Sequence, residues 1–231
     1  MVCANNVNRS AAAHEILNAA GLRVCSYGAG REVMLAGPSS FEPRTFDFLT
    51  PYSTIRSILE EEDATSFTDN GVLGLLERDM SIKQAPERWQ NLSNEQLVGI
   101  DVVVCLEYAV FLRVLQGGAL SFPSSVLLVV QKEVSTTYVT CSLTYWLLLM
   151  LSSSDVQRRM QKHLQVKQLH VVCLDTVDTP EEAVAGGERV LRLCRELNVP
   201  LKELTEKFVV SVVKKFEKEH DQQLQYLGLH T

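Results

Sequence analysis

The chain has 231 residues, of which 46% are hydrophobic, so it can bury a core of its own and one domain is expected. Its formal net charge is −6 and it has no Lys/Arg-rich block, which argues against non-specific binding to nucleic acid. Six cysteines occur without a CxxC pair or a metal-ligand spacing with histidine, so no metal or other cofactor is expected. No signal peptide is recognisable at the start, which favours a reducing intracellular compartment.

The first predicted element is a loop with the spacing of an anion cradle: a cysteine, five residues, an arginine and a serine. Five intervening residues let several backbone N–H groups converge on a tetrahedral dianion beside the cysteine sulfur. Arg9 can grip two phosphate oxygens, and Ser10 with the helix that follows favours Cys3 as a thiolate nucleophile. The residues predicted to bind phosphate are Ala4, Asn5, Asn6, Val7, Asn8, Arg9 and Ser10.

The next elements predict an α/β fold. A helix begins near Ser10 and ends at Gly21, and residues 22–27 read as a short strand. Residues 101–106 and 169–174 are two further strands, each apolar at consecutive positions. Continuous apolar runs suit strands that are buried on both faces, so we expect a three-layer parallel sheet flanked by helices.

Helices are also predicted near residues 54–62 and 71–79 and near the end of the chain. The last of these is a long helix whose apolar face is formed by Leu201, Leu204, Phe208, Val212 and Phe216. We expect this helix to pack on the sheet.

Residues 121–154 fit none of these elements, since they carry only two charges, Lys132 and Glu133. Residues 134–154 are uncharged and long enough to span a bilayer. Their strongly apolar part is short and they are rich in Ser and Thr, which favours a buried hairpin or a non-native insertion over a membrane span. We therefore predict a single domain over residues 1–231, with residues 121–167 as an atypical insertion and no contact with a membrane.

Cleavage of a phosphate ester by a thiolate needs a proton donor for the departing oxygen. The best candidate is Asp178, on the loop after the third strand. Thr179 with Glu182 predicts a capping box and Pro180 the first helical residue, which places Asp178 just before a helix, at the carboxyl end of a parallel strand. Asp175 is the alternative and has a more structural character.

Two other polar residues are weaker candidates. Asp47 could be a third carboxylate but is expected to fix its own loop. His14, on the first helix, is expected to contact residues of the site without touching the substrate, or to lie at the surface, rather than to act as a base.

Several motifs, in their order along the chain, carry a resemblance to a known family. They are residues 3–10, 46–48, 70–73, 86–91, 171–175 and 181–183. Together they resemble the Ssu72 family of RNA polymerase II C-terminal-domain phosphatases, over residues 2–113 and again from about residue 169. The run Pro86-Glu87-Arg88-Trp89-Gln90-Asn91 is the discriminating part, because arsenate reductases and low-molecular-weight tyrosine phosphatases share the cradle but not this run.

The resemblance implies a fold similar to low-molecular-weight tyrosine phosphatases, with a substrate groove near residues 34–38 and 73–76. It implies removal of phosphate from serine, mainly at the fifth position of the polymerase heptad, with the following serine–proline bond in cis. It also implies a nuclear protein of pre-mRNA 3′-end processing that docks on a symplekin-type scaffold. Carried over by position, Cys3 is the nucleophile, Arg9 the phosphate clamp and Asp178 the general acid.

Two departures from the family pattern stand out. Only Met1 and Val2 precede Cys3, so the apolar first strand is expected to be missing, which would leave its neighbours unpaired. Residues 121–167 have no family counterpart of that length. A start codon placed late and a translated intron would explain both departures.

Two other functions stay open at the level of sequence. One is a tyrosine phosphatase or arsenate reductase built on the same cradle, although Cys25, Cys105 and Cys173 are expected to be buried in strands and not to act as resolving cysteines. The other is a catalytically impaired scaffold that still binds phosphate.

Overall fold

The computed structural model of the chain describes residues 1–38, 42–116 and 168–230. Most of the elements surround one sheet, and a small hairpin and two helices stand beside it. In chain order the elements are β1 (Val2–Cys3), α1 (Arg9–Ala19), β2 (Tyr27–Gly28), β3 (Val33–Leu35), β4 (Arg44–Phe46), α2 (Tyr52–Asp69), α3 (Val72–Ile82), a 3-10 helix (Trp89–Asn91), α4 (Asn94–Val98), β5 (Val102–Cys105), α5 (Tyr108–Gln116), β6 (Gln168–Cys173), α6 (Pro180–Leu197), α7 (Glu206–His220) and β7 (Gln225–His230).

The main sheet has five strands in the order β2-β1-β5-β6-β7. The first four run parallel to one another, which confirms the predicted fold class. β7 is an antiparallel edge strand that the apolar-run pattern did not reveal, and it pairs with β6 from Gln168↔His230 to Cys173↔Gln225. β3 and β4 form a separate antiparallel hairpin.

The expectation that the first strand is missing needs a correction. Val2 and Cys3 form a two-residue strand inside the sheet, between β2 and β5, where Val2 pairs with Tyr27 on one side and Cys105 on the other. The Leu106 N–H donates to the Val2 carbonyl at 2.9 Å, so this short strand is anchored on both sides.

The predicted strand over residues 22–27 is correspondingly short. Only Tyr27–Gly28 is a strand, because β1 offers just two residues to pair with. The Met1 ammonium donates to the Cys25 carbonyl at 2.7 Å, next to the point where the pairing begins.

Alternate residues of the strands enter two cores, one on each face of the sheet. On one face Cys3, Val104 and Val172 pack with α1, α6 and α7. On the other face Val103 and Val171 pack with α5 and with Trp89. The sheet therefore lies between two helical layers, as predicted.

The helix boundaries correct several details of the prediction. α2 and α3 confirm the two helices expected near residues 54–62 and 71–79, but both are longer. α1 ends as predicted, with Gly21 at a φ of 77°. The C-terminal helix begins only at Glu206, because the Thr205 side chain caps it, so Leu201 and Leu204 precede it.

A third core, formed by α2, α3 and β3, packs against Val7 of the predicted cradle. It therefore covers one side of the loop between β1 and α1. The predicted insertion at residues 121–167 lies outside the described residues. Within the described ranges, no helix is both long and apolar enough to cross a membrane.

Candidate active site

The loop from Cys3 to Ser10 is organised around the side chain of Asn6. This residue is fully buried and its φ of 58° lies in the left-handed region, which asparagine tolerates better than most residues. Its Oδ1 accepts the Glu87 N–H at 3.0 Å, and its Nδ2 donates to the hydroxyls of Ser10 and Ser26 at 3.1 Å each. Every hydrogen-bonding group of the amide is thus used to hold the loop in shape.

The sulfur of Cys3 lies at the centre of this loop and receives two polar contacts. The backbone N–H of Asn6 donates to Sγ at 3.2 Å, and the Ser10 hydroxyl lies 3.0 Å from it. Because the Ser10 oxygen already accepts from Asn6, its hydrogen is free to point at the sulfur. Two hydrogen-bond donors therefore face the sulfur that the sequence predicts as the nucleophile.

Two side chains outside the loop bind its carbonyl oxygens. The Tyr52 hydroxyl donates to the Asn6 carbonyl at 2.5 Å, and burial raises the pKa of this phenol. The Arg78 guanidinium donates to the Val7 carbonyl at 2.6 Å and to the Asn8 carbonyl at 3.3 Å. With these oxygens bound from outside, the amides of the same segment are free to face an anion.

Arg78 is held in turn by the buried carboxyl group of Asp79. The two side chains form an ion pair at 2.6 Å. Burial raises the pKa of Asp79 to about 8, against the opposing effect of the Arg78 guanidinium.

Arg9 is held in place by contacts to two of its three guanidinium nitrogens. Nη1 donates to the carbonyls of Thr176 at 3.0 Å and Leu106 at 3.3 Å. Nη2 lies 2.7 Å from Glu107 Oε2 and 3.2 Å from Asp178 Oδ2. Nε is buried and has no hydrogen-bond partner within the described residues. The Nε/Nη2 edge can therefore take two oxygens of a tetrahedral anion if the anion replaces the two carboxylates at Nη2.

The structure places Asp178 beside the cradle, as the sequence predicts. Its Oδ1 accepts from Asn8 Nδ2 at 3.0 Å, while its Oδ2 contacts Arg9. Thr179 caps α6 by accepting the Glu182 N–H at 3.3 Å, and Pro180 is the first helical residue, both as expected. The carboxylate of Asp178 is 47% exposed, which leaves it open to a substrate above the cradle.

Asp175 and Asp47 lie elsewhere and have other contacts. Asp175 Oδ1 accepts the Tyr108 N–H at 2.7 Å, at the first residue of α5. Asp47 belongs to a turn in which its carbonyl accepts the Thr50 N–H at 3.2 Å. Neither contact involves a residue of the cradle. Among the described residues, no group of three or more His, Cys, Asp and Glu side chains is placed to hold a metal ion.

Sequence reasoning missed three residues that contact the site. Glu107 lies just after the carboxyl end of β5. A carboxylate in this position is the signal that pointed to Asp178, so the same reasoning could have identified Glu107. Tyr52 and Arg78 lie on α2 and α3 and give no local signal, because only the fold brings them to the loop.

The surface beside the cradle is formed by β3. Asn5 and Met34 exchange two hydrogen bonds, from Asn5 Nδ2 to the Met34 carbonyl at 2.7 Å and from the Met34 N–H to Asn5 Oδ1 at 3.1 Å. Met34 is 53% exposed, as a groove residue would be. Leu73 and Leu76, by contrast, are buried in the third core and do not line an open groove.

The architecture and the loop together define an α/β protein whose cysteine–arginine loop lies at the carboxyl end of β1, a parallel strand inside the sheet. The model of one family, described as Ssu72-like protein, matches residues 1–125 and 137–230. The chain belongs to this family. Between its first and last residues the match leaves out residues 126–136, a narrower gap than the predicted insertion.

Relatives and solved structures agree with this assignment. The zebrafish (Danio rerio) RNA polymerase II C-terminal domain phosphatase SSU72 is 30% identical over 195 residues, which cover 84% of this chain and 78% of the zebrafish protein. The crystal structure of the serine phosphatase of the RNA polymerase II C-terminal domain from Drosophila melanogaster matches with a TM-score of 0.72 at 26% identity. The match covers 100% of this chain and 97% of the Drosophila one.

A second Drosophila structure contains Ssu72 with symplekin and a cis peptidomimetic of the phosphorylated C-terminal domain. It matches with a TM-score of 0.71 at 24% identity, over 100% of this chain and 96% of that one. At this identity the likeness concerns the fold.

Proposed function

We propose that this chain is a cysteine-dependent protein serine phosphatase that acts on the C-terminal domain of RNA polymerase II. The observation that supports the proposal is the meeting of Cys3, Arg9 and Asp178 around one loop. Asn8 and Asp178, 170 positions apart in the sequence, are joined there by a hydrogen bond. Nε of Arg9, which has no hydrogen-bond partner in the part of the chain that the structure describes, is the group that a bound phosphate would satisfy.

In this mechanism the phosphate lies on the amides of residues 4–10, with two oxygens on the Nε/Nη2 edge of Arg9. The Cys3 thiolate attacks the phosphorus, and the P–S bond forms as the P–O bond to serine breaks. Asp178 gives its proton to the departing serine oxygen. Asp178 then takes a proton from a water molecule, which attacks the phosphorus and releases phosphate and the thiolate.

The substrate we assign is phosphoserine at the fifth position of the polymerase heptad, with the following serine–proline bond in cis. The Drosophila relative in complex with symplekin holds a cis peptidomimetic phosphorylated at this position. In this chain, β3 with its exposed Met34 offers an edge beside the cradle along which a peptide can lie. A symplekin-type scaffold is the corresponding partner.

Action on this substrate places the protein in the nucleus, in pre-mRNA 3′-end processing and transcription termination. Direct contact with nucleic acid is not part of the proposal. We propose that residues 1–231 form one phosphatase domain, into which residues 121–167 are inserted.

The test is hydrolysis of synthetic heptad peptides, each phosphorylated at one position, by the purified chain. We expect release of phosphate from the fifth-position phosphoserine, and acid quenching during turnover should trap phosphate on the Cys3 peptide by mass spectrometry. Faster turnover of a phosphotyrosine peptide would instead support a tyrosine phosphatase. Binding of phosphopeptide without turnover would support a scaffold.

A further inference from the structure

A chain of hydrogen bonds leads from the nucleophilic sulfur through the loop to a histidine on its far side. Ser10 Oγ lies 3.0 Å from Cys3 Sγ, and Asn6 Nδ2 joins Ser10 to Ser26 at 3.1 Å each. Ser26 Oγ lies 3.0 Å from Nδ1 of His14. Asn6, Ser10 and Ser26 are at most 1% exposed, so water does not compete for their hydrogens.

The hydrogens of this chain can be assigned from the contacts of the Asn6 amide. Its oxygen is identified by the Glu87 N–H, which needs an acceptor, so the other amide atom is the nitrogen with its two hydrogens. Both hydrogens go to hydroxyl oxygens. The Ser26 hydroxyl hydrogen is then left for His14, whose Nδ1 must act as an acceptor.

The surroundings of His14 keep its imidazole uncharged, the state in which Nδ1 can accept a hydrogen bond. Burial lowers the pKa of His14 to about 4, and the nearby Met1 ammonium and Lys83 act in the same direction, with Glu87 opposing them. Lys83 also donates to the Ser26 carbonyl at 2.7 Å and so fixes the backbone of the hydroxyl that His14 binds. At neutral pH the imidazole is therefore uncharged, with its hydrogen on Nε2.

We propose that Ser26 and His14 are positioning residues for the nucleophile, and that they act through Asn6 and Ser10 on the sulfur of Cys3. His14 takes the Ser26 hydrogen, which leaves the Ser26 oxygen to accept from Asn6. The Asn6 amide, held on both sides, then points its second hydrogen at Ser10, and the Ser10 hydroxyl donates to the sulfur. Without the acceptor on His14, the Ser26 hydrogen turns toward the Asn6 amide and loosens this arrangement.

The inference deepens the proposed function, but its main test does not depend on phosphatase activity. Alkylation of Cys3 by iodoacetamide, followed on the Cys3 peptide by mass spectrometry, reports how much thiolate is present whatever the enzyme does. The ratio of the alkylation rate at pH 7 to that at pH 10 separates thiolate stabilisation from access to the sulfur.

Three variants separate the roles. Ser26→Ala and His14→Leu remove the donor and the acceptor, and we expect each to lower the pH 7 to pH 10 ratio about three- to tenfold, the worth of one hydrogen bond. His14→Asn keeps an acceptor near the position of Nδ1 and should restore most of the ratio. Because the two residues act in one chain, the double variant Ser26→Ala/His14→Leu should be no worse than the more affected single variant.

Ser211→Ala is the matched control for loss of a serine hydroxyl. Its hydroxyl donates to the Phe208 carbonyl on α7, a helix that carries no residue of the site. We expect this variant to keep the wild-type ratio. With a heptad phosphopeptide, Ser26→Ala should lower kcat about three- to tenfold and leave KM nearly unchanged.

The proposal is overturned if Ser26→Ala and His14→Leu lose thermal stability but keep the wild-type alkylation ratio, since the residues are then only structural. It is also overturned if His14→Asn behaves like His14→Leu, or if the two losses add. If His14→Leu does not fold, Ser26→Ala and His14→Asn still decide the question. An altered ratio in a chain that hydrolyses no phosphopeptide would support the positioning role and contradict the proposed function.

Discussion

The two ends of the cradle are held by different kinds of contact. At the sulfur end, the residues Cys3, Asn6 and Ser10 are at most 3% exposed. They are joined to one another by hydrogen bonds of 3.0 to 3.2 Å. At the arginine end, one nitrogen of Arg9 is shared by two carboxylates, those of Glu107 and Asp178, which are 38% and 47% exposed. Nε of the same guanidinium has no partner within the described residues.

This difference separates a sulfur held by buried hydrogen bonds from carboxylates that an anion can replace. A buried donor left without its partner costs about 1–3 kcal/mol, so the sulfur end keeps its geometry whether or not an anion is present. The carboxylates at Nη2 are partly exposed and each carries a single charge, so an arriving phosphate dianion can displace them from the buried guanidinium. Displacement would free Asp178 for the proton transfer to the ester oxygen that we propose for it.

The most severe way to break the sulfur end is Cys3→Ser. A serine hydroxyl is not ionised by the two donors that favour the thiolate, so turnover of phosphoserine peptide should fall by at least about 1,000-fold. Binding should persist, because the amides and Arg9 are untouched. Isothermal titration with a phosphopeptide and a phosphate-release assay measure the two effects, and unchanged turnover would exclude Cys3 as the nucleophile.

Asp178→Asn tests the acid at the arginine end. An amide cannot protonate the serine oxygen, so kcat for a phosphoserine peptide should fall about 100-fold or more. An aryl phosphate, whose leaving group needs little protonation, should lose much less. The comparison of the two substrates in a steady-state assay is the measurement.

Asp175→Asn is its matched control, because it changes an aspartate only three positions away that accepts the Tyr108 N–H. The variant keeps an oxygen for this hydrogen bond, and both substrates should be affected equally and weakly. If Asp178→Asn cleaved the phosphoserine peptide at the wild-type rate, the assignment of the acid would be wrong.

Much of this site could be predicted because its parts are local in the sequence. The cradle is one contiguous loop, and Asp178 is marked by a strand before it and a helix cap after it. Tyr52 and Arg78 could not be found in this way, since they reach the loop across 46 and 71 positions and their own helices show no sign of the contact. The roles of Cys3, Arg9 and Asp178 stay predictions that the variants above address.

The fold was predictable to a similar extent and for similar reasons. Long apolar runs mark β5 and β6, which are buried on both faces. β7 was not predicted, because an edge strand needs no continuous apolar run and the residues of β7 include Gln225 and Gly228. β1 was not predicted, because two residues are too few to form a sequence pattern. Only their pairing with β2 and β5 makes them a strand.

Gly186→Ala tests the support behind the arginine end. A methyl at this position of α6 would lie 2.8 Å from Oγ1 of Thr176, the residue whose carbonyl holds Arg9. Thr176 is short, branched and buried, so it cannot move aside easily, and we expect a loss of about 1–3 kcal/mol in the free energy of unfolding. Phosphatase activity should fall as well, because the Thr176 carbonyl that binds Arg9 is displaced.

The matched control is Gly74→Ala on α3, where an added methyl meets nothing within 4 Å. Here alanine only improves helix propensity, so stability should rise by up to about 1 kcal/mol. Urea unfolding of both variants gives the two values. A Gly186→Ala protein as stable as wild type would show that α6 does not press on Thr176.

The smallest expected effect comes from Glu107→Gln, which removes one of the two charges that compete with phosphate for Arg9. The glutamine keeps an oxygen that can accept from Nη2, so the guanidinium should stay in place. Because the carboxylate and the dianion repel each other and share a nitrogen, inorganic phosphate should inhibit the variant about two- to fivefold more tightly. Glu196→Gln is the control, because Glu196 forms an ion pair with Lys215 at 3.0 Å, in a part of the molecule away from the cradle. This variant should leave the inhibition by phosphate unchanged. Weaker inhibition of Glu107→Gln would mean that Glu107 orients Arg9 for phosphate instead of competing with it, and the arginine end would then be as fixed as the sulfur end.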